Sequence, residues 1–305
     1  MPVSSPVTGE MKRVEQAHAK VNLMLRILAR EASGYHGIET LFQKLELHDV
    51  VTIEVGGVAR DRTLNCDGPT MPTGGLGPRE LNLAWKAAEA YVAATGWETG
   101  WSISIDKQIP VGGGLGGGSA DAAAVLRALE AMSPAPLGDA RLLALAGTLG
   151  ADVPFLVSGA SLALAWGRGD RLLVLPPLPV VDVALFTFAQ GVNTGAAYRE
   201  VAREREAQGA GISARMYDAT AFASWGSVSA IATNDFEDVV MQMHRGVGGL
   251  LPQLRTATAE TQVRGSSAIG MMSGSGATCF CIGDVLGIAE ARGTEFKCVI
   301  TNTIA

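Results

Sequence analysis

The chain switches between stretches with an apolar residue at every second position and stretches with apolar residues every three or four, the signatures of strand and helix. Residues 17–29, AHAKVNLMLRILA, predict a strand with Val21, Leu23 and Leu25 on one face and Lys20 and Asn22 on the other. After a turn at Ser33-Gly34-Tyr35-His36-Gly37, a second apolar run, TLFQKLELHDVVTIEV, continues to Gly56-Gly57. The segment DGPTMPTGGLGPR, rich in Gly and Pro, reads as a loop or hairpin region. A helix then opens at Leu81 and runs to about Ala94, with Gly96 placed to end it.

The alternating WSISI at 101–105 predicts a strand that leads into Pro110-Val111-Gly112-Gly113-Gly114-Leu115-Gly116-Gly117-Gly118-Ser119. A helix follows (SADAAAVLRALEAM), strongly helix-forming in its Ala and Leu content, and then a second helix (LGDARLLALAGTLG) that ends before Ala151-Asp152-Val153-Pro154-Phe155. Residues 161–188 hold short β-like runs, and 197–229 read as helical with a mobile loop. From Asn234 the pattern gives a helix, another near Leu250–Val263, the loop Met272-Ser273-Gly274-Ser275-Gly276-Ala277, the strand TCFCIG, a helix and a terminal strand FKCVIT. Helices and strands mixed without regular βα alternation predict an α+β class.

Composition sharpens this in one respect: 38 of the 305 residues are glycine, against a usual fraction of about 7%. With 48% hydrophobic and 18% charged residues the chain is otherwise globular in character, long enough for one large or two ordinary domains. A formal charge of −6 argues against a broad basic surface for nucleic acid. Lysine is scarce, so Lys20 inside an apolar strand stands out. Cys66, Cys279, Cys281 and Cys298 make no C-x-x-C pair, which argues against a metal or disulfide framework. No secretory h-region and no run of 18 apolar residues is present, so the expectation is a soluble cytoplasmic protein with reduced thiols and no membrane partner.

A strand, a glycine loop and a helix N-terminus together make an anion site, because unpaired N–H groups and the helix dipole point at whatever sits there. Gly112, Gly114 and Gly117 match G-x-G-x-x-G, but a dinucleotide fold needs a βαβ unit and here helix follows helix. A Walker loop needs a lysine that the run lacks. A tightly turned glycine segment without a ligand remains as the bland alternative, at a cost in backbone entropy.

The whole string PVGGGLGGGSADAA resembles the phosphate loop of the GHMP kinases. Together with AHAKVNLML, GYH at 34–36, TLFQ at 40–43, LGADVPF at 149–155, NDFE at 234–237 and MSGSGA at 272–277, it resembles those GHMP kinases that act on 4-diphosphocytidyl-2-C-methylerythritol. The resemblance implies a two-domain fold: a ribosomal-protein-S5-like domain over 11–175 carrying the glycine loop, and a ferredoxin-like α+β domain over 176–305. It implies ATP and Mg²⁺ as cofactors, with no metal ligands assigned, and a cytidine-diphosphate-linked small molecule as substrate. It also implies no nucleic-acid partner and a monomer or weak homodimer.

By the same resemblance Lys20 and Asp152 flank the hydroxyl that is phosphorylated. Pro110, Val111, Gly112, Gly113, Gly114, Leu115, Gly116, Gly117, Gly118, Ser119 and Ala120 surround the triphosphate. Tyr35 and His36 bind the cytosine end, and Thr194 and Tyr198 contact substrate. Asn22, on the Lys20 face of its strand, binds the hydroxyl or orients the lysine. Each has a plainer alternative: an edge-strand lysine for Lys20, a helix N-cap for Asp152 and for Ser119, and a buried structural amide for Asn22.

Overall fold

The computed structural model describes residues 11–30, 36–58, 61–208, 214–263, 267–283 and 296–305. The chain divides into two compact units. The first comprises Met1–Ala17, His48–Ile109 and Gly117–Ser158; the second comprises His18–Leu47, Pro110–Gly116 and Gly159–Ala305. Strands β1 (Met11–Arg30) and β2 (His36–Gly56) each contribute residues to both.

In the first unit, β4 (Gly100–Asp106) pairs antiparallel with the second half of β2 and parallel with β3 (Arg62–Asp67), so that Ile103 lies beside both Ile53 and Leu64. Trp101, Ile103 and Ile105 are buried and Ser102 and Ser104 exposed, as the WSISI alternation predicts for a half-covered strand. Helix α1 (Leu83–Thr95) starts two residues beyond the expected Leu81, because Asn82 takes the cap: its Oδ1 accepts from Ala84 N at 2.8 Å. Gly96 closes the helix at φ 66°. Helix α2 (Gly117–Met132) packs against α1 and the short α4 (Val153–Val157), while α3 (Asp139–Leu149) packs on α4. Buried alanines, Ala84, Ala87 and Ala88 on α1 and Ala120, Ala122, Ala123, Ala124 and Ala128 on α2, keep both helices slim and let helix axes approach closely. The Tyr91 hydroxyl donates to Glu130 Oε2 at 2.6 Å, and the same carboxylate accepts from Leu137 N and Gly138 N, tying α1, α2 and the segment before α3.

In the second unit the first half of β2 pairs with β5 (Leu162–Gly167), which pairs with β6 (Arg171–Val174); β1 pairs in parallel with β8 (Thr233–Asn234). A separate antiparallel sheet has the order β11-β7-β10-β9, built from β7 (Asp182–Phe188), β9 (Ile269–Met272), β10 (Cys279–Ile282) and β11 (Phe296–Asn302). Ala184, Phe186, Met272, Cys279 and Cys281 from this sheet share one core with Ala197 of α5 (Thr194–Gln208), Val239 and Val240 of α7 (Glu237–Met243), and Leu250, Leu251 and Leu254 of α8 (Arg245–Val263). All four cysteines are free thiols. Two sheets, each with helices, make the α+β class expected from the pattern.

Helix α8 begins at Arg245, earlier than the sequence suggests, and carries Pro252 inside it. Gly246, Gly248, Gly249 and Pro252 are poor helix formers, and burial of Val247, Leu250, Leu251 and Leu254 overrides that propensity. The 197–229 stretch resolves into α5, a 3₁₀ turn at Ala219–Phe222 and α6 (Trp225–Ile231). The helix expected between TCFCIG and the last strand lies outside the described residues. Among the described residues no helix is long and apolar enough to cross a membrane.

One buried amide joins three of these elements. Asn234 Nδ2 donates to Met272 O and Gly274 O, both at 2.8 Å, and its Oδ1 accepts from Phe236 N at 3.0 Å. Asn234→Ala strands two buried carbonyls and one amide, so chemical denaturation should show a loss of about 2–3 kcal/mol; an unchanged midpoint would remove this amide from the supports of the 272–278 loop.

Candidate active site

The glycine run begins at Pro110, four residues beyond the end of β4 at Asp106, and enters α2 at Gly117. Its backbone needs glycine: Gly112, Gly114 and Gly116 have φ of 78°, 80° and 74°, a region L side chains rarely adopt. Space demands it too, since a Cβ on Gly114 would stand 2.2 Å from Ser273 O, and one on Gly113 would stand 2.4 Å from Thr278 Oγ1. The run therefore lies directly against the second glycine loop, 273–278.

Hydrogen bonds fix which way each peptide faces. Gly113 O accepts from Thr278 N at 3.1 Å, Leu115 O accepts from Lys20 N at 3.0 Å, and Gly114 O accepts from both Ser273 Oγ at 2.9 Å and Lys20 Nζ at 3.1 Å. In a planar trans peptide the next N–H points opposite to the carbonyl. With three successive carbonyls turned onto protein, the N–H groups of Gly114, Leu115 and Gly116 turn away from it. Among the described residues these N–H groups donate to no protein acceptor. Successive backbone amides left without protein acceptors are of the kind that suits an anion.

Lys20 sits against these peptides. It is 3% exposed, and its ammonium donates to Asn22 Oδ1 at 2.7 Å as well as to Gly114 O. Asn22 Nδ2 donates to Thr40 Oγ1 at 2.8 Å, and that hydroxyl donates to Met24 O at 2.7 Å. The chain of bonds orients Asn22 so that its oxygen, not its amide nitrogen, faces the lysine. A buried ammonium is stable only with such oxygen partners. The edge-strand alternative for Lys20 is thereby excluded: both faces of β1 are buried from Ala19 to Leu25.

The second loop closes on itself through Ser273 N to Thr278 O at 2.9 Å and Gly276 N to Ser273 O at 3.0 Å. Thr194, first residue of α5, shares a hydrogen bond with Ser275 Oγ at 2.8 Å, which brings the expected substrate threonine to this loop. Tyr198, one turn on, packs its ring edge-to-face on Phe236 at 4.8 Å and against the core. His36 begins β2; Tyr35 lies outside the described residues.

In the first unit, Ser119 is the third residue of α2 rather than its cap, and its hydroxyl makes no hydrogen bond to the described residues. The first-turn amides around it, including Ala120, are of the kind that favour an anion. Asp152 precedes α4, yet its carboxylate makes no capping hydrogen bond to that helix, so capping does not account for it. Among the described residues no group of three His, Cys, Asp or Glu stands ready to hold a metal. The Ser119 hydroxyl is a hard oxygen donor of the kind magnesium accepts beside phosphate oxygens.

Sequence reasoning places Ser273 only within a second glycine loop near the substrate phosphates, without its bond to Gly114 O, and assigns no role to Thr40 or Asn234. Their motifs, MSGSGA, TLFQ and NDFE, were visible, but short polar residues in such runs do not announce which carbonyl they will bind.

Residues 82–160 match the family model for the GHMP kinases N terminal domain. A curated relative from Geobacter metallireducens, 4-diphosphocytidyl-2-C-methyl-D-erythritol kinase, is 35% identical over 288 residues, 94% of each chain. A solved 4-(cytidine 5'-diphospho)-2C-methyl-D-erythritol kinase superposes with a TM-score of 0.68 at 33% identity, covering 97% of this chain and all of that one. Mevalonate kinase of L. major, at 13% identity and a TM-score of 0.66 over 99% of this chain and 98% of that one, shares the fold. Identity of this degree over nearly the full length, beside a glycine run held open by Lys20 and Ser273, places the chain in the 4-diphosphocytidyl-2-C-methyl-D-erythritol kinase family of the GHMP kinases.

Proposed function

We propose that this protein transfers the γ-phosphoryl group of ATP to the 2-hydroxyl of 4-diphosphocytidyl-2-C-methyl-D-erythritol, giving the 2-phosphate and ADP in the non-mevalonate route to isoprenoid precursors. The observation that carries the reading is the buried Lys20 ammonium bonded to Gly114 O, at the base of a loop whose amides face away from the protein. The reading takes the domains as 11–175 and 176–305 and the protein as a cytoplasmic monomer or weak homodimer.

In this mechanism the hydroxyl oxygen attacks the γ-phosphorus, the bond from that phosphorus to the β,γ-bridging oxygen breaks, and the hydroxyl proton passes to the Asp152 carboxylate. Lys20 stabilises charge on the transferred group, and Asn22 holds the ammonium in line. The glycine amides and the first turn of α2 bind the triphosphate, with Ser119 Oγ offered to the accompanying Mg²⁺. Bound Mg²⁺ neutralises charge on the phosphate oxygens. Tyr35 and His36 bind the cytosine end, and Thr194 binds substrate from the 273–278 loop side; Tyr198 supports it from the core. Phosphoryl transfer asks mainly for positioning and charge stabilisation, and a pre-bonded, buried lysine supplies both without reorganising.

ADP release from ATP and Mg²⁺ with a panel of alcohols tests the substrate. Turnover is expected with the cytidyl methylerythritol; turnover of mevalonate or homoserine in its place would overturn the assignment. Asp152→Ala should lower kcat by about 10²–10⁴-fold with ATP binding retained in a calorimetric titration. Lys20→Met should lower kcat by about 10²–10³-fold, and a variant of either residue working at near-normal rate removes that residue from the chemistry.

A further inference from the structure

At the foot of the glycine run, inside the first unit, a lysine and two aspartates are buried together. Lys107 is 2% exposed, Asp49 0% and Asp121 2%. Lys107 Nζ donates to Asp49 Oδ2 and, at 2.7 Å, to Asp121 Oδ2. The other oxygen of Asp49 accepts from two backbone amides, Gln108 N at 2.5 Å and Ile109 N at 2.7 Å. Thr70 Oγ1 holds the same segment from its other side, donating to Lys107 O at 2.9 Å and Ile109 O at 3.0 Å.

These residues bracket the run. Gln108 and Ile109 are the last residues before Pro110, and Asp121 lies on α2 one turn beyond Gly117, where the run ends. The two ends also touch: a Cβ on Gly117 would lie 3.2 Å from Ile109 Cγ2 and 3.5 Å from Lys107 Nζ. A side chain at 117 would require Ile109 to shift by a few tenths of an ångström.

We propose that Lys107, Asp49 and Asp121 form a positioning clasp that pins both ends of the glycine run and thereby sets the enzyme's affinity for ATP. The proposal rests on the reading of that run as the triphosphate cradle. A glycine-rich segment loses more backbone freedom on ordering than any other, and fixing its ends beforehand lowers what nucleotide binding must still order. None of the three side chains needs to touch substrate for this. Burial, together with the neighbouring Asp49 charge, pushes the Asp121 carboxyl up to about 7 in spite of Lys107, and its Oδ1 is buried with no partner. The ammonium is what keeps two buried carboxylates side by side.

The test uses the full-length enzyme with three variants: Asp49→Asn, which keeps an oxygen for the two amides but loses the charge; Lys107→Met; and Lys107→Met combined with Asp121→Asn, which strands less charge. Binding of a non-hydrolysable ATP analogue is measured by calorimetry, KM for ATP and for the alcohol by steady-state kinetics, and folding by thermal unfolding. Asp49→Asn and the double variant should raise both the analogue's Kd and KM for ATP about tenfold, with KM for the alcohol and kcat at saturating ATP changed less than about threefold. Folded variants with unchanged ATP affinity overturn the clasp. Equal losses in kcat and in both KM values, or loss of a cooperative unfolding transition in all three, would assign the triad to general folding and overturn it as well. Failure of the unaltered enzyme to bind the analogue at all would instead overturn the reading of the run as a triphosphate cradle.

Discussion

Gly114 O takes hydrogen bonds from Lys20 Nζ and Ser273 Oγ, and much of the second unit's architecture is what that junction requires. A side chain at 114 would collide with Ser273 O, so the junction needs glycine. A buried ammonium needs oxygen ligands, so Asn22 must be oriented, and Thr40 orients it. The Ser273 loop must in turn be held, and Asn234 holds it through Met272 O and Gly274 O. The polar groups form one connected network in which each member satisfies another, the condition under which a buried polar site is rigid rather than merely costly.

Rigidity here has a chemical use. The same bonds that draw the carbonyls of Gly113, Gly114 and Leu115 onto protein turn the following amides outward. The outward set of these amides is therefore a consequence of how the carbonyls are satisfied. Electrostatic stabilisation of phosphoryl transfer depends on dipoles that are already aimed. Within the first unit, the first-turn amides of helix α2 lack intrahelical partners, and its alanine-rich body is anchored among α1 and α4.

Some of this was legible in the chain. The alternation in WSISI and the caps at Asn82 and Gly96 state local geometry directly, because strand period and helix ends depend on near neighbours. The glycine run declared close backbone approach for the same reason. Helix α8 was underestimated: its glycines and Pro252 oppose a helix locally, and only the apolar face it buries against the sheet of β7, β9, β10 and β11 outweighs them. Ser119, read equally as a cap, is placed by the true start of α2 at Gly117, a boundary that three consecutive glycines leave open to sequence reading.

By itself the sequence determined where a glycine-rich backbone makes close approaches, that a lysine and an asparagine share a strand face, and, through its matching motifs, which kind of kinase this is. Those properties reside in short stretches whose residues act on their immediate neighbours. Only the tertiary structure decided that both faces of β1 are covered, which way each peptide of the run is turned, and that Lys107 meets an aspartate 58 positions away and another 14 away. Such facts arise when distant segments compete for the same buried volume, and a buried charge selects whichever partners the packing brings to it.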